Sequence, residues 1–544
     1  MSAFSDLTSQ FLAEEYAARP VMASGLGLTE YDDQLDDQSE AAFEARQAAS
    51  ASWLERFEHV PSEELDFDEA IDRDLLLAAL RERRIYDEWQ VWRRSPDTYL
   101  NPALRGVFGL FLHRLRPEAE LAEAATARLR QAATNLAAGR ANLRPELVPP
   151  LLLQRAINQT RAGARYAGEL LPSQVSEEHR GDLADAGAEA GRAYEEFADF
   201  LEAMKPEATG EWAFGEERYD GVLRDAELLG FTARTLRDRA REEYEHLKAE
   251  LIRCAQELKG TDDWHAVLAE LSNDHPTTPE AMRQGYERST ADAREYLREH
   301  RLVTFPPGEG CSVDPSPPFQ RPVLAVASYM SPPSFSESMQ GHFFVPYPPD
   351  GASDEEIQKR LASNCYPGIP TTSVHEAYPG HHWHLVMAKL NPSAVRQVFG
   401  TSYFAEGWAL YAERMMRERG FFTDLAQEMF QYEATIFRAA RIVVDTSLHI
   451  GEMTFDEAVD FIMASTNLTE PTARAEVTRY CSWPTQASSY LTGCLEIVRI
   501  RDRFLAARGA SLADTDDLRD FHDALCSSGT LPIALAERAV MAKA

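Results

Sequence analysis

A mainly α-helical chain, with one small β-sheet placed beside its chemistry, is what the sequence predicts. Three observations lead there. Residues 1–300 run as long amphipathic stretches rich in Ala, Leu, Glu and Arg, all strong helix formers apart from the interleaved polar residues. Eleven prolines then fall between positions 306 and 349, around short β-prone pieces. From residue 354 to the end the helical pattern resumes. The expected organisation is therefore a helical N-terminal lobe over 1–300, a Pro-rich short-strand segment over 301–350, and a helical lobe over 351–544 that carries the histidine-rich motif described below.

Each element has its own warrant. Phe67–Trp92 places Leu75, Leu76, Leu77, Leu80 and Ile85 between charged residues, an amphipathic pattern. Pro117–Leu143 opens on a proline suited to a first helical turn. Further helices are expected at 40–58, 150–170, 176–204, 231–258 and 278–299, with the short connections typical of antiparallel neighbours. In the proline segment, Val323–Ser328 and His342–Val345 read as short strands with irregular connections. Edge strands of that kind hold extended peptides by backbone hydrogen bonds. Beyond them, helices are expected at Asp354–Ser363, Phe404–Arg419, Thr423–Ile450, Thr454–Ser465, Glu470–Tyr480, Ser488–Arg508 and Thr515–Ser527. Thr454 and Glu457 form a capping-box pattern at the start of one of these.

Composition narrows the function classes. The chain has 544 residues, 44% hydrophobic and 26% charged, as in ordinary globular proteins. Its formal net charge of −33 would repel phosphate backbones and anionic lipids, so neither a nucleic-acid nor a membrane partner is expected. There is no apolar run of the roughly eighteen residues a spanning helix needs. The N-terminus lacks a basic start and an apolar core, so no signal peptide is expected. Six cysteines lie far apart with no C-x-x-C, which reads as buried free thiols in a reducing compartment and a cytoplasmic location.

The chemistry concentrates in Thr371–Leu390, where four of fourteen histidines fall within ten residues. His375-Glu376 is followed by Pro379-Gly380 and then His381, His382 and His384. Histidine is the commonest protein metal ligand, and an adjacent carboxylate suits a general base. In H-E-x-x-H the two histidines share one helix face and one metal. Here two extra residues intervene between His375 and His381. In an unbroken helix six residues subtend about 600°, which would turn His381 off the face. His382 would share the face but sit about 10 Å along the axis. A kink is required for either, and Pro379-Gly380 supplies the means. His381 is preferred as the second ligand, because its Gly-His pairing mirrors the ending of many H-E-x-G-H zinc helices, with His382 as the alternative. Glu406, 25 residues beyond His381 and set among Phe404, Trp408 and Leu410, is expected as the third ligand, since a buried unpaired carboxylate is costly. Glu413 follows seven residues later on the same face, as a supporting partner or an alternative ligand. Zn2+ is the expected cofactor, Glu376 the general base, and Tyr490 a donor to the oxyanion, with His449 a second one. Arg441, Asp445 and His449 are spaced one helical turn apart, so a buried polar cluster is expected. Arg441, Arg499 and Arg501 are candidates to pair a substrate carboxylate.

The motifs V-H-E-A-Y-P-G-H-H at 374–382, E-G-W-A-L-Y-A-E at 406–413, R-x-x-x-D-x-x-x-H at 441–449 and P-x-Q-A-x-x-Y-x-x-G at 484–493 resemble those of the bacterial domain-of-unknown-function family 885. Phe521–Leu525 and Gly529–Pro532 also fit it. That family looks like a distant relative of gluzincin-type helical zinc peptidases such as neurolysin, angiotensin-converting enzyme and the Thermus-type carboxypeptidase. The resemblance implies a two-lobed helical fold with a deep central cleft. The Pro-Gly insertion departs from the peptidases' H-E-x-x-H, and Trp383-His384 stands where the family commonly has glutamine at the second position. The expected function is a zinc-dependent hydrolase of short peptides. The competing expectations are other metal-dependent chemistry (non-peptide amide or ester cleavage, or a lyase) and a non-catalytic metal-binding protein.

Overall fold

The structure is a computed structural model that describes residues 2–318, 321 and 326–544. It is mainly helical, with one three-stranded sheet. By packing, the chain divides into two compact units: Met1–Trp212 with Pro332–Ser338, and Ala213–Ser331 with Met339–Ala544. No helix among the described residues is long and apolar enough to cross a membrane.

The first unit is helical throughout. Its centre is the packing of Glu118–Asn142 and Pro150–Arg165 on Arg180–Met204. Leu121, Ala125, Leu129 and Leu136 face inward from one helix, and Leu183, Ala190, Tyr194 and Phe197 from another. Each such large apolar side chain withdrawn from water contributes about 1.5–3 kcal/mol. Phe67–Glu88 begins on a capping box formed by Asp66 and Glu69. Arg128 is fully buried and satisfied by three backbone carbonyls, those of Gln34, Gly106 and Tyr31. The outlying stretch Pro332–Ser338 joins this unit where the Phe335 N–H donates to the Leu26 carbonyl at 2.7 Å.

The second unit carries the histidine motif. Ala233–Lys259 packs along Leu425–His449, and Pro279–Glu299 along Ile369–Glu376. For this reason residues 213–300 group with the C-terminal helices, and the break expected at 300 from composition does not coincide with the division by packing. Helix periodicity identifies an amphipathic face but not which partner covers it. The sheet has strands β1 (Gly310–Pro315), β2 (Ser328–Met330) and β3 (Gln340–Val345) in the order β1-β3-β2. β1 runs parallel to β3, with Gly310 opposite Gln340, and β2 runs antiparallel to it. The expected strand His342–Val345 lies within β3. Of the expected strand Val323–Ser328, residues 323–325 lie outside the described residues, and β2 starts at its last position. β1 was not expected: Gly310, Asp314 and Pro315 are residues that strands disfavour.

One helix crossing determines the neighbourhood of the motif. Ser402–Glu418 packs tightly on Ser489–Ala507. They meet backbone to backbone at Gly407 and Gly493, where a Cβ at 407 would lie 2.5 Å from the Gly493 Cα. Only two glycines allow that approach. It brings Glu406, next to one glycine, and Tyr490, three residues before the other, into the same region.

Candidate metal centre

The helix Ile369–Glu376 ends on the glutamate of the His-Glu pair, and a new helix starts at His381. Between them the chain turns through a cis Tyr378–Pro379 peptide. Gly380 doubles back so closely that a Cβ there would lie 1.8 Å from the His375 carbonyl oxygen. Its N–H donates to the Val374 carbonyl at 2.9 Å, and the Trp408 indole N–H holds the Pro379 carbonyl at 2.8 Å. The kink required by the spacing is thus a full break between two short helices, tied down by backbone bonds.

The break places His381 beside His375, with ring centroids 4.9 Å apart and planes perpendicular. Glu406 reaches the same point from the next long helix. Its Oε2 lies 3.3 Å from His381 Nε2 and 3.6 Å from His375 Nε2. One ligand atom from each of these three residues lies within 4.8 Å of the others. Glu406 Oε2 is buried and has no hydrogen-bond partner among the described residues. Burial alone would raise this carboxyl, but the two imidazoles hold it well below the ordinary carboxylate range.

His375 is oriented from behind. Its Nδ1–H donates to Glu413 Oε1 at 2.7 Å, which leaves Nε2 facing Glu406. Burial works against its protonation, yet the flanking carboxylates of Glu406 and Glu413 raise it to about 9. Carboxylate–histidine pairs of this kind set the tautomer of metal-ligating imidazoles. Glu413 therefore stands behind His375 rather than in the cluster itself. Glu376 is buried, and burial lifts its carboxyl above the usual value against the pull of His375 and His381. Tyr490 stacks on His375 at 6.4 Å and accepts a bond from Gln486 at 3.2 Å. Burial and the Glu406 charge raise its phenol, so it remains a donor at neutral pH.

His382 turns the other way. Its Nε2–H donates to Glu309 Oε2 at 3.0 Å, and Nδ1 accepts from the Tyr329 hydroxyl at 2.9 Å. Glu309 also takes bonds from Tyr378 at 2.6 Å and from Arg294. Burial would raise Glu309, but these bonds from His382, Tyr378 and Arg294 bring it down to about 2. Gly341 of β3 makes room for this group, since a Cβ there would meet the Tyr329 hydroxyl at 2.2 Å. Glu309, Tyr329, Tyr378 and Arg294 were not foreseen as neighbours of the motif. Tyr378, inside the motif, was the one visible signal. His384 is buried against Phe404, and burial lowers it to about 3, so it stays neutral.

Several expected site residues lie elsewhere. His449 is fully buried with both ring nitrogens engaged: Nδ1 accepts from the Phe214 N–H at 3.2 Å and Nε2 donates to the Tyr480 carbonyl at 3.1 Å. It joins helices and is not placed to stabilise an oxyanion. The expected Arg441–Asp445–His449 cluster divides. Asp445 accepts from Tyr219 at 2.6 Å, with its other oxygen 3.5 Å from His449. Arg441 pairs instead with Glu476 at 2.8 Å and Tyr480 at 3.1 Å. The helical spacing was right, but each side chain found its partner on another helix. Arg499 is tied to Glu496 and Glu537, and Arg501, 2% exposed, to Glu418 and Asp502. Neither is placed to receive a substrate.

Comparison with known proteins bears on the fold. A protein named as a lipoprotein of unknown function from Shewanella oneidensis aligns with a TM-score of 0.78 at 21% identity, covering 99% of each chain. A second, named as a lipoprotein from Colwellia psychrerythraea, aligns with a TM-score of 0.81 at 19% identity, again over 99% of each. At such identities the likeness is one of fold. No curated protein matches the chain. The family described as "Bacterial protein of unknown function (DUF885)" matches residues 20–540, and the chain belongs to it.

Proposed function

We propose that the protein is a zinc-dependent hydrolase that cleaves amide bonds of short peptides. The observation that carries this reading is the buried, partnerless Oε2 of Glu406 facing two imidazole Nε2 atoms. A carboxylate oxygen that meets two imidazole Nε2 atoms without a hydrogen bond offers, with them, a ready set of ligands for a cation. Two imidazoles and one carboxylate suit zinc and leave a coordination position open for chemistry. His375, His381 and Glu406 would hold the ion, and Glu413 would orient His375. When bound, zinc supplies a Lewis acid that acidifies water and polarises a carbonyl.

The chain's own residues divide the remaining work. Glu376, adjacent to a ligand and raised by burial, accepts a proton from the attacking water and returns it to the departing nitrogen. Tyr490, held protonated beside His375, donates from its hydroxyl to the oxygen that gains charge. Kinship with the helical zinc peptidases belongs to this proposal. So does a cytoplasmic location, which the free cysteines favour. Metal analysis of the purified protein, followed by a panel of di- and tripeptides, tests the reading. Near-stoichiometric zinc is expected, with peptide cleavage lost about 100- to 10,000-fold in Glu376→Gln at unchanged metal content. Full activity in metal-free protein would overturn it. Turnover of other amides or esters with no peptide cleaved would assign the same site to a different substrate.

A further inference from the structure

Although the chain carries a net charge of −33, the surroundings of Tyr490 are cationic. Three guanidinium groups gather there. Arg441 lies 4.9 Å and Arg438 5.7 Å from the Tyr490 ring centre, and Arg479 bonds Gln486, whose amide donates to the Tyr490 hydroxyl. One carboxylate, Glu476, answers Arg441 at 2.8 Å and Arg479 at 3.0 Å. Arg438 has no such partner. Its charge is felt at Glu376 and Glu433, but it makes no ion pair with either among the described residues. Of its three nitrogens only Nη1 is bonded, to the Ala434 carbonyl at 3.1 Å. Its buried Nε has no hydrogen-bond partner. The Nε–Nη2 edge is one that binds a carboxylate through two parallel hydrogen bonds. An arginine that leaves this edge unbonded beside the candidate cluster, in a chain with 88 acidic residues available to pair it, is placed for an anion from outside the chain.

The geometry points to Arg438 as the receptor for a free carboxylate on the substrate, with Arg441 and Arg479 supplying the surrounding positive potential. This inference rests on the hydrolase reading for its catalytic side and specifies its substrate class: amides that end in a carboxylate, such as peptides cut near their C-terminus or N-acyl amino acids. Arg441 and Arg479 are positioning residues, since Glu476 and Gln486 already engage them.

The test uses the full-length, zinc-loaded protein and two pairs of probes. N-benzoylglycyl-leucine and its C-terminal amide report turnover, while N-benzoylglycine and its amide report binding by calorimetry. In the wild type the acid is expected to exceed the amide about 100-fold in kcat/KM and in affinity, from two charge-assisted hydrogen bonds. In Arg438→Gln the acid-to-amide ratio is expected to fall close to one. Arg438→Lys, which keeps the charge and loses the paired edge, is expected to fall between. Circular dichroism and zinc content identify variants that fold. If no amide is cleaved, the hydrolase reading fails and the binding ratio alone decides the carboxylate site. An acid-to-amide ratio near one in the wild type, or an acid preference that survives Arg438→Gln, would overturn the inference.

Discussion

His381 and His382 are neighbours in the chain, and each points at a buried glutamate, yet the two glutamates are in opposite condition. Glu309 receives His382, Tyr378 and Arg294, so its charge is answered within the protein. Glu406 Oε2 lies against two imidazoles, neither of which closes a hydrogen bond to it. The first arrangement is structural: it ties the Pro379–Gly380 turn to the segment leading into β1. The second leaves a carboxylate oxygen without a hydrogen bond where two imidazoles meet. A buried carboxylate beside a histidine is therefore no sign of a metal by itself. The unsatisfied oxygen is what distinguishes the two sites.

Substitutions on either side should keep that contrast sharp or remove it. The largest difference is expected for His381→Gln and Glu406→Gln, each of which should weaken zinc binding by at least about 100-fold, since the loss of a mere supporting partner already costs 10- to 100-fold. Competition with a chelating dye measures it. His382→Gln should leave zinc affinity within a few-fold of wild type, and a matching loss in His382 and His381 variants would break the distinction. Glu309→Ala should act on stability instead, by about 3 kcal/mol, because His382 and Tyr378 lose their common acceptor in the interior. Denaturant unfolding monitored by fluorescence reads this, and a metal-loaded variant as stable as wild type would count against the structural role. A smaller change is expected from Glu413→Gln, about 10-fold in zinc affinity, because His375 keeps its position but loses the carboxylate that orients it.

The last expectation concerns pH. Glu309 titrates at about 2 in the folded chain against an ordinary value of 4.5, so the unfolded state takes up the proton first as pH falls. Its stabilising contribution is complete above 4.5 and is lost through the range down to about 2. Glu309→Gln should flatten the acid limb of the stability curve over that window and leave neutral behaviour to the other groups. An unchanged acid limb would show that the triply bonded carboxylate is not a main source of the dependence.

Much of this was legible in the sequence, for identifiable reasons. The meeting of His375, His381 and Glu406 could be read because its signals are local: His375 and Glu376 are adjacent, Gly380 precedes His381, and Glu406 sits in an apolar helix where a bare carboxylate is out of place. Glu413 was visible as a residue on the same helical face as Glu406, which is what lets it back His375. His449 and Asp445 misled because helical spacing shows which side chains share a face but not which group on another element takes their hydrogen bonds. Arg499 and Arg501 misled in the same way, since Glu537 and Glu418 lie far from them in sequence. Glu309 carried no signal, because a glutamate in a Gly-Glu-Gly turn looks like a surface residue until Tyr378, Arg294 and His382 converge on it.

By itself, then, the amino-acid order determined that the chain is mainly helical, that four of its histidines crowd into one twenty-residue stretch, and that a helix must break at Pro379–Gly380 for two of them to meet. These follow from periodicity and from the backbone limits of proline and glycine, which act over a few residues. Tertiary structure alone decided which of two adjacent histidines faces Glu406. The turn presents them to opposite sides, and the choice depends on the Gly407–Gly493 crossing on one side and on Glu309 with Tyr329 on the other. Those partners come from 26 to 112 residues away in the chain, and no local pattern encodes contacts made at that range.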